Sequence, residues 1–238
     1  MKIEDKKPFK DRCEFVNYFT RNKKELVDKN ELIINLCRNK NVLDLGCIDH
    51  SATTALELEN NWLHKQIKEV AYHVIGIDIL EDDTNILNKN GYEIVCANVE
   101  NFNLNKTFDI IVAGDLIEHL SNIGLFLDCV KKHMHKDSLL IISTPNPFNI
   151  EQTMTAVFQN EISINDQHTT WLSPHNFWEL SNRHKLSIID FYWVNTRFDF
   201  KVTKRFYKFF INKLSAIIMD KRNICKRDYI VIMQKIKD

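Results

Sequence analysis

Glycine and proline are scarce, at five and four in 238 residues. Linkers rich in Pro, Gly and Ser are absent, and so are low-complexity tracts and internal repeats. The triple-glycine turn G-x-G-x-x-G, which seats a pyrophosphate in dinucleotide-binding sheets, is also missing. The six cysteines (Cys13, Cys37, Cys47, Cys96, Cys129 and Cys225) show no C-x-x-C spacing. Most fall in apolar segments, where a reduced thiol behaves as a small hydrophobe, so a reducing cytoplasm is the expected setting. No run approaches the ~20 apolar residues of a membrane span, and the charged N-terminus lacks the apolar centre of a signal peptide. Net charge is lacking as well, since Lys plus Arg and Asp plus Glu are each 32. The balance conceals an asymmetry: from Phe200 to Asp238 eleven basic side chains face three acidic ones, so this tail carries about +8 and the remainder about −8.

What is present is an alternation of short apolar runs and helical patterns. Strands are expected near Asn41 to Gly46, His73 to Asp78, Glu93 to Ala97, Phe108 to Gly114, Leu139 to Ser143, Leu186 to Val194 and Tyr229 to Gln234. Strand alternating with helix implies a mostly parallel sheet covered on both faces, a doubly wound, Rossmann-like α/β fold of seven strands. Before it, Asp11 to Arg38 carries apolar residues at helical spacing, interrupted near Asn22 and Asn30, which predicts two helices. These form a helical lid over residues 1–40, with the sheet domain over 41–238 in what is overall one domain. Between Pro145 and Pro174 the pattern is irregular and far longer than the two to six residues usual after such a strand, so a functional insertion is expected there. A second insertion follows the sixth strand.

Two short words carry most of the functional information. Val42-Leu43-Asp44-Leu45-Gly46 and Gly76-Ile77-Asp78 each read as a buried parallel strand ending in a glycine or a carboxylate, where open α/β sheets bind nucleotide-like ligands. Their separation leaves room for one crossover helix and a turn. Asp78 then stands where a ribose diol would donate to it, so an adenosine-containing cofactor is expected. The loop after the first word, Gly46-Cys47-Ile48-Asp49-His50-Ser51, lacks two of the three dinucleotide glycines, and Asp49 would set a negative charge beside two phosphates. S-adenosylmethionine has a ribose and an adenine, no phosphate and a positive sulfonium, so Asp44 and Asp49 become acceptable neighbours.

With these words in order, the chain resembles the class I S-adenosylmethionine-dependent methyltransferases that carry V-L-D-x-G-C, then G-x-D, then F-D-x-I-x-x-x-x-x-I-E-H-L, over about Asn41 to Pro147. The resemblance implies that Asp44, Gly46 and Cys47, in the loop that runs on through Ile48 and Asp49, line the methionine portion. It implies that Asp78 holds the ribose hydroxyls, Ile79 lies against the adenine, Asn98 and Val99 edge the base, and Gly114 and Asp115 lie beneath the sulfonium. Two departures stand out. Ile48 replaces the second glycine of the family's usual G-x-G-x-G loop, leaving less room for close backbone approach, and Asn98 stands where an Asp is common, although its amide oxygen can still accept.

The reacting end reads from Phe108 to Leu120. Methyl transfer to a hydroxyl requires a held acceptor, exclusion of water and removal of a proton. His119 is a candidate base, assisted by Glu118, and His168 in the long insertion hangs over the same face with Trp171 as a wall. Similar methyltransferases carry an H-x-x-W-x-x-P segment here. Some relatives also bind a divalent ion through E-x-x-E-H plus a later His, which maps onto Asp115, Glu118, His119 and His168, a donor set better suited to Mn²⁺ than to Mg²⁺. The plain alternative is that Glu118 caps or pairs with the next helix and His119 packs under the cofactor. His64 reads as a helix-end cap, and His133 and His135 as exposed.

The expected reaction is O-methylation of a hydroxylated small molecule or of a glycan, nucleotide-sugar or lipid-linked intermediate, with S-adenosylhomocysteine as coproduct. Alternatives are an RNA or other macromolecular acceptor, or a non-catalytic cofactor-binding module. A nicotinamide reductase would need the missing glycines and an ordered Tyr-x-x-x-Lys pair. Nucleic acid is disfavoured because the excess basic charge is confined to one tail. The segment 200–219, with Lys201, Lys204, Arg205 and Lys208 among Phe206, Tyr207, Phe209 and Phe210, could meet an anionic acceptor or a membrane surface peripherally, or simply pack its aromatic rings on the sheet.

Overall fold

A computed structural model describes residues 6–21, 25–26, 28–57, 61–160, 165–194, 217–218 and 221–236. The basic, aromatic segment 200–219 therefore lies outside the described residues apart from 217–218. In chain order the elements are α1 (Arg12–Arg21), β1 (Glu25–Leu26), α2 (Lys29–Cys37), β2 (Asn41–Leu45), α3 (Ala52–Glu57), α4 (Leu63–Val70), β3 (His73–Asp78), α5 (Glu81–Lys89), β4 (Ile94–Cys96) and β5 (Phe108–Gly114). A 3₁₀ turn at Ile117–His119 follows, then α6 (Ile123–Lys132), β6 (Met134–Pro145), α7 (Ile150–Gln159), α8 (Pro174–Arg183), β7 (Leu186–Val194) and β8 (Asp228–Lys235).

These strands form one sheet in the order β1-β7-β8-β6-β5-β2-β3-β4. All neighbours are parallel except β8, which runs antiparallel between β6 and β7. The seven expected strands are present. The two-residue β1, at the sheet edge beside β7, is an eighth; a run so short carries no alternation by which a sequence could betray it. The order reverses between β2 and β5, and ligands of open α/β sheets bind at such a switch point.

Three further readings need correction. Two short helices, α3 and α4, stand where one crossover helix was expected. The insertion after β6 is partly helical, because Asn149 caps α7 by accepting from the Gln152 amide at 2.8 Å. Of the cysteines, only Cys37, Cys47 and Cys129 are buried; Cys13 and Cys96 are exposed and Cys225 is intermediate.

The apolar core divides across the sheet. One layer gathers Phe15 and Phe19 of α1 with Phe126, Phe177, Phe191, Trp193 and Tyr229. The opposite layer sets Ile33 and Cys37 of α2 against Val42, Ile67, Ile110 and Ile141. The two N-terminal helices thus cover opposite faces, and α2 reaches the strand tips only through its first turn. A third cluster, with Cys47, Ile48, Ala52, Ala55, Trp62, Leu87 and Ile94, supports the loop after β2. Among the described residues no helix is long and apolar enough to cross a membrane.

Candidate active site

The strand tips on the carboxyl side of the sheet open into a single cleft of about 1160 Å³. Asp44, Gly46, Cys47, Ile48 and Asp49 form its floor, and Asp78, Ile79, Asn98 and Val99 its far end. Gly114, Asp115, Glu118, His119 and His168 close the other end, so every residue expected at the site from sequence lines the same cavity.

At the far end the buried Asp78 carboxylate accepts from the Ile48 amide at 2.9 Å and the Leu80 amide at 3.2 Å. Burial raises its pKa, and these backbone donors offset only part of the rise. Asp78 thereby also fixes the loop it faces. Ile48 tolerates the place of a glycine because its side chain turns into the third core cluster, where it is 8% exposed. Gly46 takes φ +64°, the left-handed region that glycine enters without strain. Ile79 is exposed, its side chain free to meet a flat ring.

Beneath the floor lies an arrangement the sequence concealed. His64 is not a helix-end cap but is buried, and its Nδ1 is 2.8 Å from Asp44 Oδ2. Trp62 beside it donates Nε1–H to the Cys47 carbonyl at 2.7 Å. Gly76 gives this layer room: a Cβ there would come within 2.5 Å of Cys47 Sγ and 3.0 Å of His64 Cε1. Burial pushes the Cys47 thiol well above its ordinary pKa, so this sulfur packs and does not react. His133 was also misread as exposed. It is buried against Phe102, and its Nε2 accepts from the Leu104 amide at 3.0 Å.

At the opposite end the 3₁₀ turn after β5 carries Glu118 inward, 2% exposed, accepting from Thr144 Oγ1 at 2.9 Å. Glu118 caps no helix. Burial, then the neighbouring Asp115 charge, raise its pKa to about 7. His119 and His168 meet edge to face with ring centroids 4.7 Å apart. The insertion is strapped down here, since the Thr169 and Thr170 amides donate to the Glu118 carbonyl at 2.9 and 3.2 Å. Burial, then the charge of His119, lower the His168 pKa, which favours the neutral, proton-accepting ring.

Ligand atoms of Glu118, His119 and His168 all lie within 4.8 Å of one another, so two imidazoles and a carboxylate could hold a divalent ion. Asp115 does not join them. Its carboxylate pairs with Lys29 of α2 and accepts from Ser143 Oγ at 2.8 Å, and its backbone sits at φ +48°. Burial works to raise the Asp115 pKa, but Lys29 and Ser143 outweigh it and the net shift is downward. Lys29, Ser143 and Thr144 were missed from sequence because nothing local marks one lysine or hydroxyl among many.

A model of the Methyltransferase domain family matches residues 16–204. Among curated proteins, the chain is similar to (S)-coclaurine N-methyltransferase of Thalictrum flavum subsp. glaucum, at 29% identity over 101 residues covering 42% of this chain and 27% of that protein. It is also similar to the mitochondrial ubiquinone biosynthesis O-methyltransferase of Rattus norvegicus, at 25% over 133 residues covering 51% and 35%. The matched stretch is thus only about a quarter to a third of each relative. Among solved structures, a SAM dependent methyltransferase from Archaeoglobus fulgidus shares the fold with a TM-score of 0.55 at 17% identity, over 94% of this chain and 100% of that one. An S-adenosylmethionine-dependent methyltransferase from Clostridium acetobutylicum gives 0.54 at 13%, over 87% and 91%.

Proposed function

The chain belongs to the methyltransferase-domain family, with the class I α/β fold, and on that premise we propose that it O-methylates a hydroxylated small molecule or glycan-type acceptor with S-adenosylmethionine. One observation carries this reading: a proton-accepting cluster, Glu118 with His119 and His168, stands at one end of a cleft whose other end offers a carboxylate and an exposed apolar side chain for adenosine. When bound, S-adenosylmethionine supplies an electrophilic methyl group.

Asp78 would bind the ribose hydroxyls with the oxygen lone pairs its backbone donors leave over. His168, kept neutral by burial and by His119, would take the acceptor's hydroxyl proton as the oxygen–carbon bond forms. Glu118, with a pKa near 7, can then share that proton through the cluster. As an alternative to proton transfer, the same three side chains could hold Mn²⁺ better than Mg²⁺; they would then act as ligands and not as proton acceptors, and the ion would acidify the acceptor hydroxyl. The base cluster favours oxygen over nitrogen as acceptor atom, because a neutral amine attacks with its lone pair and sheds its proton afterwards. Lys29 and Asn30 bring the first turn of α2 to the wall of the cleft, the part of a lid role that supports this reading.

The test is turnover to S-adenosylhomocysteine over a panel of hydroxylated small molecules, nucleotide-linked sugars and lipid-linked glycans, with and without chelator and added Mn²⁺. His119→Ala and His168→Ala should each lower turnover at least ~100-fold while S-adenosylhomocysteine affinity stays within about twofold, as expected for lost proton transfer. Full activity in both variants would remove the cluster from the mechanism.

A further inference from the structure

Beyond the Glu118 cluster, the cleft has no surplus of positive charge. Among the described residues Lys29 and Arg227 are the lysine and arginine side chains that line it, and each has a carboxylate beside it: Lys29 pairs with Asp115, and Arg227 Nε lies 4.0 Å from Asp228 Oδ1. A phosphate or carboxylate on the acceptor would meet these acids and Glu118 with no cation to spare. Nor are the walls those of an apolar slot, in which flat apolar ligands are held. One indole, that of Trp171, stands here among side-chain amides. Asn146 and Asn149 spend theirs on backbone carbonyls, while Gln152, Asn165 and Gln167 also line the cavity.

Trp171 is held from both sides. The Thr170 amide donates to the Glu118 carbonyl at 3.2 Å, and the fully buried Tyr229 donates its hydroxyl to the Leu172 carbonyl at 2.5 Å. Its backbone is thus pinned at each neighbour, yet the indole stays 38% exposed on the cleft. A fixed, open ring offers apolar area with little ordering entropy left to lose on binding. A sugar ring matches this set. One of its faces is a patch of C–H groups that can lie on an indole, its rim carries hydroxyls that donate and accept as carboxamides do, and it brings no charge. We propose that the acceptor is a neutral sugar, its ring laid on Trp171 and its hydroxyls met by Gln152, Asn165 and Gln167, an inference that rests on the O-methylation reading above. The hydroxyl nearest His168 gives that ring its proton as the oxygen bonds the methyl carbon and the carbon–sulfur electron pair returns to sulfur. The products are a sugar methyl ether and S-adenosylhomocysteine.

The test is S-adenosylhomocysteine release by the full chain with three kinds of acceptor: the methyl glycosides of glucose, galactose, mannose and rhamnose, then catechol, then glucose 6-phosphate. One of the glycosides should be the best substrate, with catechol and the phosphate at least ~100-fold poorer in kcat/KM. On that glycoside Trp171→Ala should raise KM roughly tenfold, with kcat within about threefold and S-adenosylhomocysteine affinity unchanged. Gln167→Leu should raise KM in the same direction, and Trp171→Phe should recover most of the loss. Catechol or glucose 6-phosphate as the best substrate, or an unaltered KM in Trp171→Ala, would overturn the inference and leave O-methylation standing. Only failure of every hydroxylated acceptor, with S-adenosylhomocysteine still bound by the chain, would remove O-methylation and the inference together.

Discussion

Glu118 is held in two ways at once: its side chain accepts from Thr144, and its carbonyl holds the insertion. Its raised pKa has a consequence for stability. Below about pH 4.5 the carboxyl is protonated in both folded and unfolded chains, and the fold bears no cost. As pH rises from there to about 7 the unfolded chain ionises while the folded one keeps its proton, so stability falls by up to about 3 kcal/mol and then levels. Glu118→Gln should abolish that component. Denaturant unfolding of chelator-treated protein at pH 5 and pH 8 checks it, and a variant with the same loss as the parent would contradict the assignment.

At the scale of elements, the site depends on the segment between α7 and α8 being fastened to the 3₁₀ turn after β5. Thr169 does this through its amide to the Glu118 carbonyl and through Oγ1, which reaches the Leu120 carbonyl at 2.8 Å and the Glu118 carbonyl at 3.2 Å. Thr169→Val keeps the amide bond and removes both hydroxyl bonds. We expect a stability loss of about 1 kcal/mol and a turnover loss that exceeds any loss of S-adenosylhomocysteine affinity, because His168 is the preceding residue and the Asp78 end is untouched. Faster amide exchange confined to 165–172 would accompany it. Equal losses in turnover and affinity would mean that the strap serves the whole cleft.

For the molecule as a whole, the N-terminal segment is part of the core and not an appendage. Asp190, fully buried on β7, pairs with Lys6 and accepts from Tyr18 Oη at 2.7 Å, while Phe15 and Phe19 fill the layer beside it. Lys6→Met would leave a buried carboxylate short of its cation, which costs about 3 kcal/mol. The midpoint of chemical unfolding should fall accordingly, and Lys6→Met combined with Asp190→Leu should recover much of the loss. An unchanged midpoint in Lys6→Met would show that the Tyr18 hydroxyl suffices.

The sequence by itself determined the sheet and the position of the cleft. Phe108 to Gly114 and Leu186 to Val194 begin and end as read, because a strand buried on both faces reads as a mostly apolar run, here broken only by Asp109, Ser187 and Asp190. Asp44, Asp78 and the Glu118–His119 pair were legible for the same reason, as polar groups at the ends of such runs. Only the tertiary structure decided what those groups touch. That His64 pairs with Asp44, that Lys29 takes Asp115 away from the other three candidate ligands, and that His168 comes down beside His119 are contacts between residues far apart along the chain. A local pattern records which face a side chain occupies; its partner is chosen by the crossovers that fold distant segments onto one strand edge.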